Sequence, residues 1–291
     1  MRPTGTVAGR VERSVAADFP RAALWADLVL RGARLFGAFA STQVKATLAM
    51  RILRGLRTPA AAALCAILLV ELIIGLVFGL WPKLDLYISG LFHDPAPCRF
   101  LAQAQCDWPL TRNPILLAVR DLNAFVTRAI VAAAAVALIF AAVGARSLTY
   151  MSPRAALFLL TALAAAPGLI ANFVFKTHWG RPRPIDVAQF GGALDFVPWW
   201  NPFGRCAANC SFVSGEASSA FLLLAVAVIL PQRYRAAASS VAIVYGLIVG
   251  MMRVAMGGHF LSDVLFAGVF TALAVWVSHG AFFRWRWRAP T

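Results

Sequence analysis

Six runs of apolar residues, separated by shorter polar intervals, dominate the chain. They fall near 60–80 (AAAALCAILLVELIIGLVFGL), 124–145, 155–175, 215–231, 236–252 and 260–280. Each is close to the ~20 residues with which a helix crosses a bilayer. Runs this long with so few polar positions have no wet face, so their outer surfaces must meet lipid. The pattern predicts an all-α integral membrane bundle of six transmembrane helices over residues 59–291. The first 58 residues break the pattern, being too charged to span. Within them, 22–39 (AALWADLVLRGARLFGAF) has apolar positions at helical spacing interrupted by Arg31 and Arg34, which predicts an amphipathic interfacial helix. The extension does not read as a conventional secretory signal, because its basic stretch is long and no small-residue cleavage site follows a short apolar core.

Composition agrees with the pattern. The chain is 60% hydrophobic and 13% charged, whereas soluble domains run at about 45–50% apolar and 25% charged. A net charge of +15 raises the question of nucleic acid, but the basic residues sit between or beside the apolar runs and not along one polar face. Ten of the 27 precede Pro59, and Arg284, Arg286 and Arg288 alternate with tryptophan in the terminal FFRWRWR. They read as membrane anchors, so the expected partners are a bilayer and a lipid, with no nucleic acid. Arg146 and Arg154 lie between the second and third runs, and Arg233 and Arg235 between the fourth and fifth. By the positive-inside rule that side, with the N-terminus, is cytoplasmic. The opposite face receives 81–123, 176–214 and 253–259, with four of the five cysteines. Cys98 and Cys106 share one outer loop and Cys206 and Cys210 another, as suits a compartment that permits disulfides. Free thiols are the alternative, and spacing does not decide the pairing.

Three outer segments carry candidate chemistry. In KTHWGRPRP, Lys176, Arg181 and Arg183 crowd the exit of the third span. Taken alone they could be headgroup anchors, but cations this close call for an anion. In CSFVSGEASSAF, Ser211, Ser214 and Gly215 precede an apolar run. Ser214 is placed to cap a helix whose free N–H groups make a phosphate cradle, although an ordinary cap fits as well. In MRVAMGGHFLSDV, Arg253 stands six residues before His259 and Asp263 four after it. An i,i+4 spacing puts the two side chains on one helix face at the opening turn of the sixth span. Asp263 is expected to accept a hydrogen bond from one imidazole nitrogen and leave the other free as a nucleophile.

These segments together resemble the type 2 phosphatidic acid phosphatase superfamily of lipid phosphatases, whose pattern is K-x6-RP, then PSGH, then SR-x5-H-x3-D. Lys176, Arg183 and Pro184 match the first motif, and Arg253, His259 and Asp263 the third, with Met252 in place of serine. Ser214 and Gly215 match the second, but Val213 replaces its proline and Glu216 its histidine. The resemblance implies attack by His259 on phosphorus, a phosphohistidine hydrolysed by water, and no metal or other cofactor. Lys176, Arg183, Arg253, Ser214 and Gly215 would hold the phosphate, and Asp263 would orient His259. The family's second-motif histidine is taken to protonate the departing alcohol. Here that task falls to Glu216, if burial and a neighbouring phosphate keep its proton on, or to His178 within the first motif. The implied substrate is a lipid phosphate such as lipid A, undecaprenyl diphosphate, phosphatidylglycerol phosphate or phosphatidic acid. The expected setting is a bacterial inner membrane with the site facing the periplasm. A phosphotransferase of the same fold and a non-catalytic lipid-phosphate binder are the alternatives. Outside the motifs, Glu71 is an intramembrane carboxylate, His93 and His279 have no metal-ligand spacing, and Trp199 and Trp200 read as an interfacial rim.

Overall fold

A computed structural model of the chain describes residues 58–95, 107–145 and 151–285. The expected extension with its helix over 22–39, Cys98, Cys106, Arg146, Arg286 and Arg288 lie outside the described residues. Helices α1 (Pro59–Leu80) and α2 (Lys83–Gly90) are followed by α3 (Pro114–Ala142) and α4 (Pro153–Leu163). The α4 segment runs on as a wider-wound stretch, Ala164–Phe175, and a last turn, Lys176–His178. Then come α5 (Gly215–Phe221), α6 (Leu223–Ile229), α7 (Gln232–Ala255) and α8 (Leu261–Phe283). Among the described residues the β-structure is one isolated bridge, Val187 with Leu194. Five segments are long and apolar enough to cross a membrane: α1, α3, Pro153–His178, α7 and α8. The α5–α6 pair, Gly215–Ile229, is the shorter sixth. Each of the six expected spans coincides with a helix.

Two boundaries differ from expectation for identifiable reasons. The second span begins at Pro114 and not at 124. Its start is specified by Asn113, whose side chain accepts from the N–H groups of Ile115 (2.9 Å) and Leu116 (3.2 Å), with proline in the first turn. Arg120, Asp121 and Arg128 lower the hydropathy of that end and hide it from an apolar-run reading. In the third span, Pro167 has no N–H to donate and the helix widens around it. Asn172 Nδ2 donates back to the Pro167 carbonyl at 2.6 Å.

Small residues let the central elements approach closely. A Cβ at Gly246 of α7 would sit 2.3 Å from the Phe221 ring, and one at Gly268 of α8 would sit 3.0 Å from it, so α5 wedges an aromatic ring between the two helices. Ser218 and Thr271 hydroxyls join α5 to α8 at 2.9 Å. At the end of the helices that carries the three motifs, the 176–214 loop is fastened by aromatic packing. Trp199 lies 4.4 Å from Phe266, and its carbonyl accepts from Trp179 Nε1 at 2.6 Å. Trp199 is therefore a packing residue and not the rim residue expected, whereas Trp200 is exposed. Gly180 and Gly204 meet backbone to backbone; a Cβ on Gly204 would lie 2.1 Å from the Gly180 carbonyl oxygen. Cys206 and Cys210 form a disulfide within this loop, which decides the pairing of these two.

Candidate active site

The turn between α7 and α8 carries His259. Gly257 adopts the left-handed conformation (φ 65°), and a side chain there would collide with Trp108. Helix α8 starts at Leu261, with Phe260 at its cap and the Asp263 carboxylate reaching back to the Phe260 N–H at 2.8 Å. His259 thus stands just before the helix and not on its first turn, and the cap is made three residues apart, by Asp263 on Phe260. The expected direct hydrogen bond between them is replaced. His259 Nδ1 is 2.7 Å from the Ser211 carbonyl oxygen and 3.8 Å from Asp263 Oδ2. A carbonyl only accepts, so Nδ1 carries the proton and Nε2 holds the lone pair. Burial pushes the His259 pKa down to about 4, against the pull of Asp263 and with the push of Arg253 and Lys176. The imidazole is neutral at pH 7.

Behind His259 lies a buried charged network. Asp263 Oδ2 also accepts from the Ser211 hydroxyl, and Oδ1 accepts from Arg181 Nη1. Arg181 is fully buried: Nη1 also donates to Ser262 Oγ (2.8 Å), Nη2 to Asp85 Oδ2 (2.8 Å) and Nε to the Val197 carbonyl (2.9 Å). Its guanidinium carbon is 4.5 Å from the centre of the Phe260 ring. Asp85, on α2, accepts in addition from the Ser262 backbone N–H (2.9 Å) and hydroxyl (2.6 Å). Burial works against the charge on Arg181, but Asp263 and Asp85 outweigh it and raise its pKa above the ordinary guanidinium value. Ser211 transmits this order to the imidazole, its hydroxyl held by Asp263 and its carbonyl holding His259.

In front of His259 the cations are arranged differently. A Cβ on Gly215 would come within 3.3 Å of Lys176 Nζ and 3.1 Å of Asn172 Oδ1, so the missing side chain is what admits the ammonium. Arg253, in the last turn of α7, lies against Gly258, where a Cβ would meet Nη2 at 2.4 Å. Its Nε is 3.3 Å from Glu216 Oε2. The other Glu216 oxygen accepts from Arg120 Nε at 3.1 Å, giving a chain Arg120–Glu216–Arg253. Ser214 Oγ caps α5 at the Ala217 N–H (3.3 Å), and the Ser214 N–H donates to the Asp263 carbonyl (3.2 Å). Arg183 Nε donates to the Asn209 carbonyl at 3.0 Å. An open cleft of about 270 Å³ lies between Asn172, Lys176 and Thr177 on one side and Ala207–Asn209 on the other. Among the described residues no group of three His, Cys, Asp or Glu side chains is placed to hold a metal.

Residues 155–287 match the family model for the PAP2 superfamily. The lipid A 4'-phosphatase of Rhizobium leguminosarum is 35% identical over 196 residues, which cover 65% of this chain and 83% of that protein. The chain belongs to the PAP2 superfamily. The lipid A 4'-phosphatase of Francisella tularensis subsp. novicida (strain U112) is 42% identical over 132 residues, 45% of this chain and 60% of that protein. The crystal structure of a transmembrane PAP2 type phosphatidylglycerolphosphate phosphatase from Bacillus subtilis shares the fold, with a TM-score of 0.50 at 20% identity, covering 76% of this chain and 96% of that one. Family and apolar helices together make the chain a multi-pass membrane protein.

The PAP2 motifs converge as follows. His259, Asp263, Arg253, Ser214, Gly215 and Lys176 gather around one point, with Glu216 at the Arg253 side. Glu216, one of the two candidates for the general acid, lies 3.1 Å from Arg120 Nε through one oxygen and 3.3 Å from Arg253 Nε through the other. His178 turns to its own helix: it is exposed, Nδ1 lies 3.0 Å from the Val174 carbonyl, and its ring rests on Phe173. Arg181, grouped by sequence with the phosphate-seeking cations, belongs to the network behind His259. Sequence reading missed Asp85, Ser262 and Arg120 as neighbours of the site, because nothing in their local spacing ties them to a motif. Glu71 is partly buried within α1; His93 packs on Trp108 and His279 on Phe158 and Phe283, all outside the cluster.

Proposed function

We propose that this PAP2 protein is a lipid phosphatase that hydrolyses the phosphate of a phosphorylated glycolipid of the lipid A class, through a phosphohistidine on His259. The observation that carries the reading is the 2.7 Å contact between His259 Nδ1 and the Ser211 carbonyl, which fixes the proton on Nδ1 and points the Nε2 lone pair out as nucleophile. In the first step Nε2 bonds to phosphorus as the bond from phosphorus to the lipid oxygen breaks. That oxygen takes a proton and the lipid alcohol departs. In the second step water adds to phosphorus, the N–P bond breaks, and inorganic phosphate leaves with neutral His259 restored. Lys176, Arg183 and Arg253 offset charge on the phosphate oxygens and the Ser214 hydroxyl and Gly215 N–H add directed donors, preorganised for the transition state. Asp263, at 3.8 Å, stabilises the positive imidazolium of the intermediate.

In this reading Glu216 holds Arg253 in place and the leaving oxygen takes its proton from water, because both carboxylate oxygens face guanidinium groups. The substrate class follows the names of the relatives, and the setting follows charge: basic residues crowd one side of the spans and the site lies at the other. Both support a reading in which the reaction runs at the periplasmic face of a bacterial inner membrane and residues 1–58 form a separate basic extension. The test is phosphate release from lipid A by purified protein in detergent. His259→Ala is expected to lower kcat by about 10⁴-fold or more, on the order seen when a catalytic nucleophile is removed. Undiminished turnover in that variant overturns the mechanism. Phosphorylated acceptor without stoichiometric free phosphate would instead assign the protein to phosphoryl transfer.

A further inference from the structure

We infer that a groove between α3 and α7 seats one acyl chain of the lipid whose phosphate is attacked by His259; this rests on the reading above and extends it to the substrate's tail. The groove is an apolar cavity of about 400 Å³, lined chiefly by Leu116 and Val119 of α3 and by Ile248, Met251, Met252 and Ala255 of α7. Its direction follows from the helix ends. Asn113 caps the outer end of α3 and Ala255 closes α7 on the same side, so the groove opens at the outer face. From there it descends along both helices by about 9–11 Å, at ~1.5 Å per residue.

The charges on its border identify the occupant. Arg120, next after Val119, stands at the inner end of the groove on α3, Arg253, next after Met252, stands nearer its outer end on α7, and Glu216 joins the two. The floor is continuous with the reacting site as well: Met252 and Met256 pack together with Ala220 and Val249, and the Met256 sulfur lies 3.8 Å from Arg253 Nη1. An apolar trough bordered by arginines beside a nucleophilic histidine fits an amphiphile with an anionic head and a hydrocarbon tail. Ile115 and Ile248 are exposed on the membrane-facing surface, so a tail can enter sideways from the bilayer. Methionines floor the trough with deformable side chains that adjust to chain shape.

A tail already lies in hydrocarbon before it binds, so the groove adds fit and not transfer from water. Its effect therefore falls on which lipids are accepted. A phosphate held at Lys176 and Arg253 also tethers its own tail beside the groove, raising its effective concentration over bulk lipid.

The test compares two substrates in detergent micelles: a long-chain lipid phosphate, and a short-chain phosphate monoester whose tail is too short to fill the trough. Val119→Trp and Ile248→Trp each fill the groove from a different helix. Each is expected to lower kcat/KM for the long-chain substrate at least tenfold, through KM, while leaving the short-chain substrate within twofold. An unchanged ratio between the two substrates in both variants overturns the groove, whether both activities stay or both fall together. Leu116→Ala, which widens the trough, is expected to shift preference toward bulkier or branched chains, and an unaltered chain preference would also count against it. Wild-type protein inactive on both substrates would instead overturn the phosphatase reading itself, so the two failures are distinguishable.

Discussion

Arg181 and Arg253 are both arginines drawn out of water beside His259, and their surroundings differ in every other respect. Arg181 is sealed, with its donors taken by Asp85, Asp263, Ser262 and the Val197 carbonyl, and with Phe260 stacked on its face. Arg253 leans on Glu216, a carboxylate whose side chain is 28% exposed and which it shares with the half-exposed Arg120. A guanidinium whose hydrogen bonds are already committed to fixed carboxylates has nothing to offer a phosphate, and serves to hold Asp263 and through it Ser211 and His259. Arg253 meets one carboxylate, Glu216 at 3.3 Å, and the weakly accepting Met256 sulfur at 3.8 Å, so its guanidinium keeps donors to offer a ligand. On the proposed mechanism the difference separates fixing the nucleophile from binding what it attacks, two duties that proximity in sequence does not distinguish.

The largest expected effect tests the sealed side. Arg181→Met leaves Asp85 and Asp263 buried without their cation, a loss of about 3–5 kcal/mol. Thermal unfolding in detergent is expected to show a lowered midpoint or little folded protein. Arg253→Ala is expected to leave the midpoint nearly unchanged while lowering kcat/KM by about 10²–10³-fold, the scale of one lost oxyanion donor. If the two variants exchanged phenotypes, the division of labour would be reversed.

Glu216→Gln bears on the open side and should be milder. Glutamine keeps an oxygen for Arg120 or Arg253 but weakens both contacts, so less than about a tenfold fall in kcat is expected. A proton donor would cost about 10²–10⁴-fold on removal, and a loss of that size in steady-state assays returns Glu216 to the role of general acid.

The smallest effect is a titration. With burial lowering its pKa to about 4, His259 in the free protein should stay neutral from pH 7 down to about 5 and gain its proton below that. Histidine-labelled protein followed by NMR in micelles would show this directly, and a midpoint near 6.5 would mean a solvated imidazole. The sign for stability follows: a folded pKa below the unfolded value means that the unfolded chain binds the proton first. The contribution of neutral His259 is thus complete above about pH 6.5 and is lost as pH falls toward 4.

Much of this architecture is legible without coordinates. The apolar runs mark every helix but the short α2, the α5–α6 pair sharing one run, and the three motifs name most of the residues around His259. What could not be read has a common character. Helix α3 starts at Pro114 because Asn113 caps it, a signal that the charges at Arg120 and Asp121 mask in any hydropathy reading. The imidazole's partner is a backbone carbonyl, and carbonyls leave no trace in a residue code. Glu216 in place of histidine was visible, but Arg120, whose contact defines what Glu216 does, lies 96 residues away in sequence.

By itself the sequence determined the class of solvent, the places of the apolar helices and the motif residues that the fold brings together, because apolar periodicity and motif spacing depend on neighbours along the chain. Only the tertiary structure decided which of the crowded cations faces a ligand. That choice depends on partners brought together from distant segments, as when Asp85 of α2 meets Ser262 across 177 residues to enclose Arg181. A buried charge takes its duty from whatever compensates it, and compensation is settled where the helices meet.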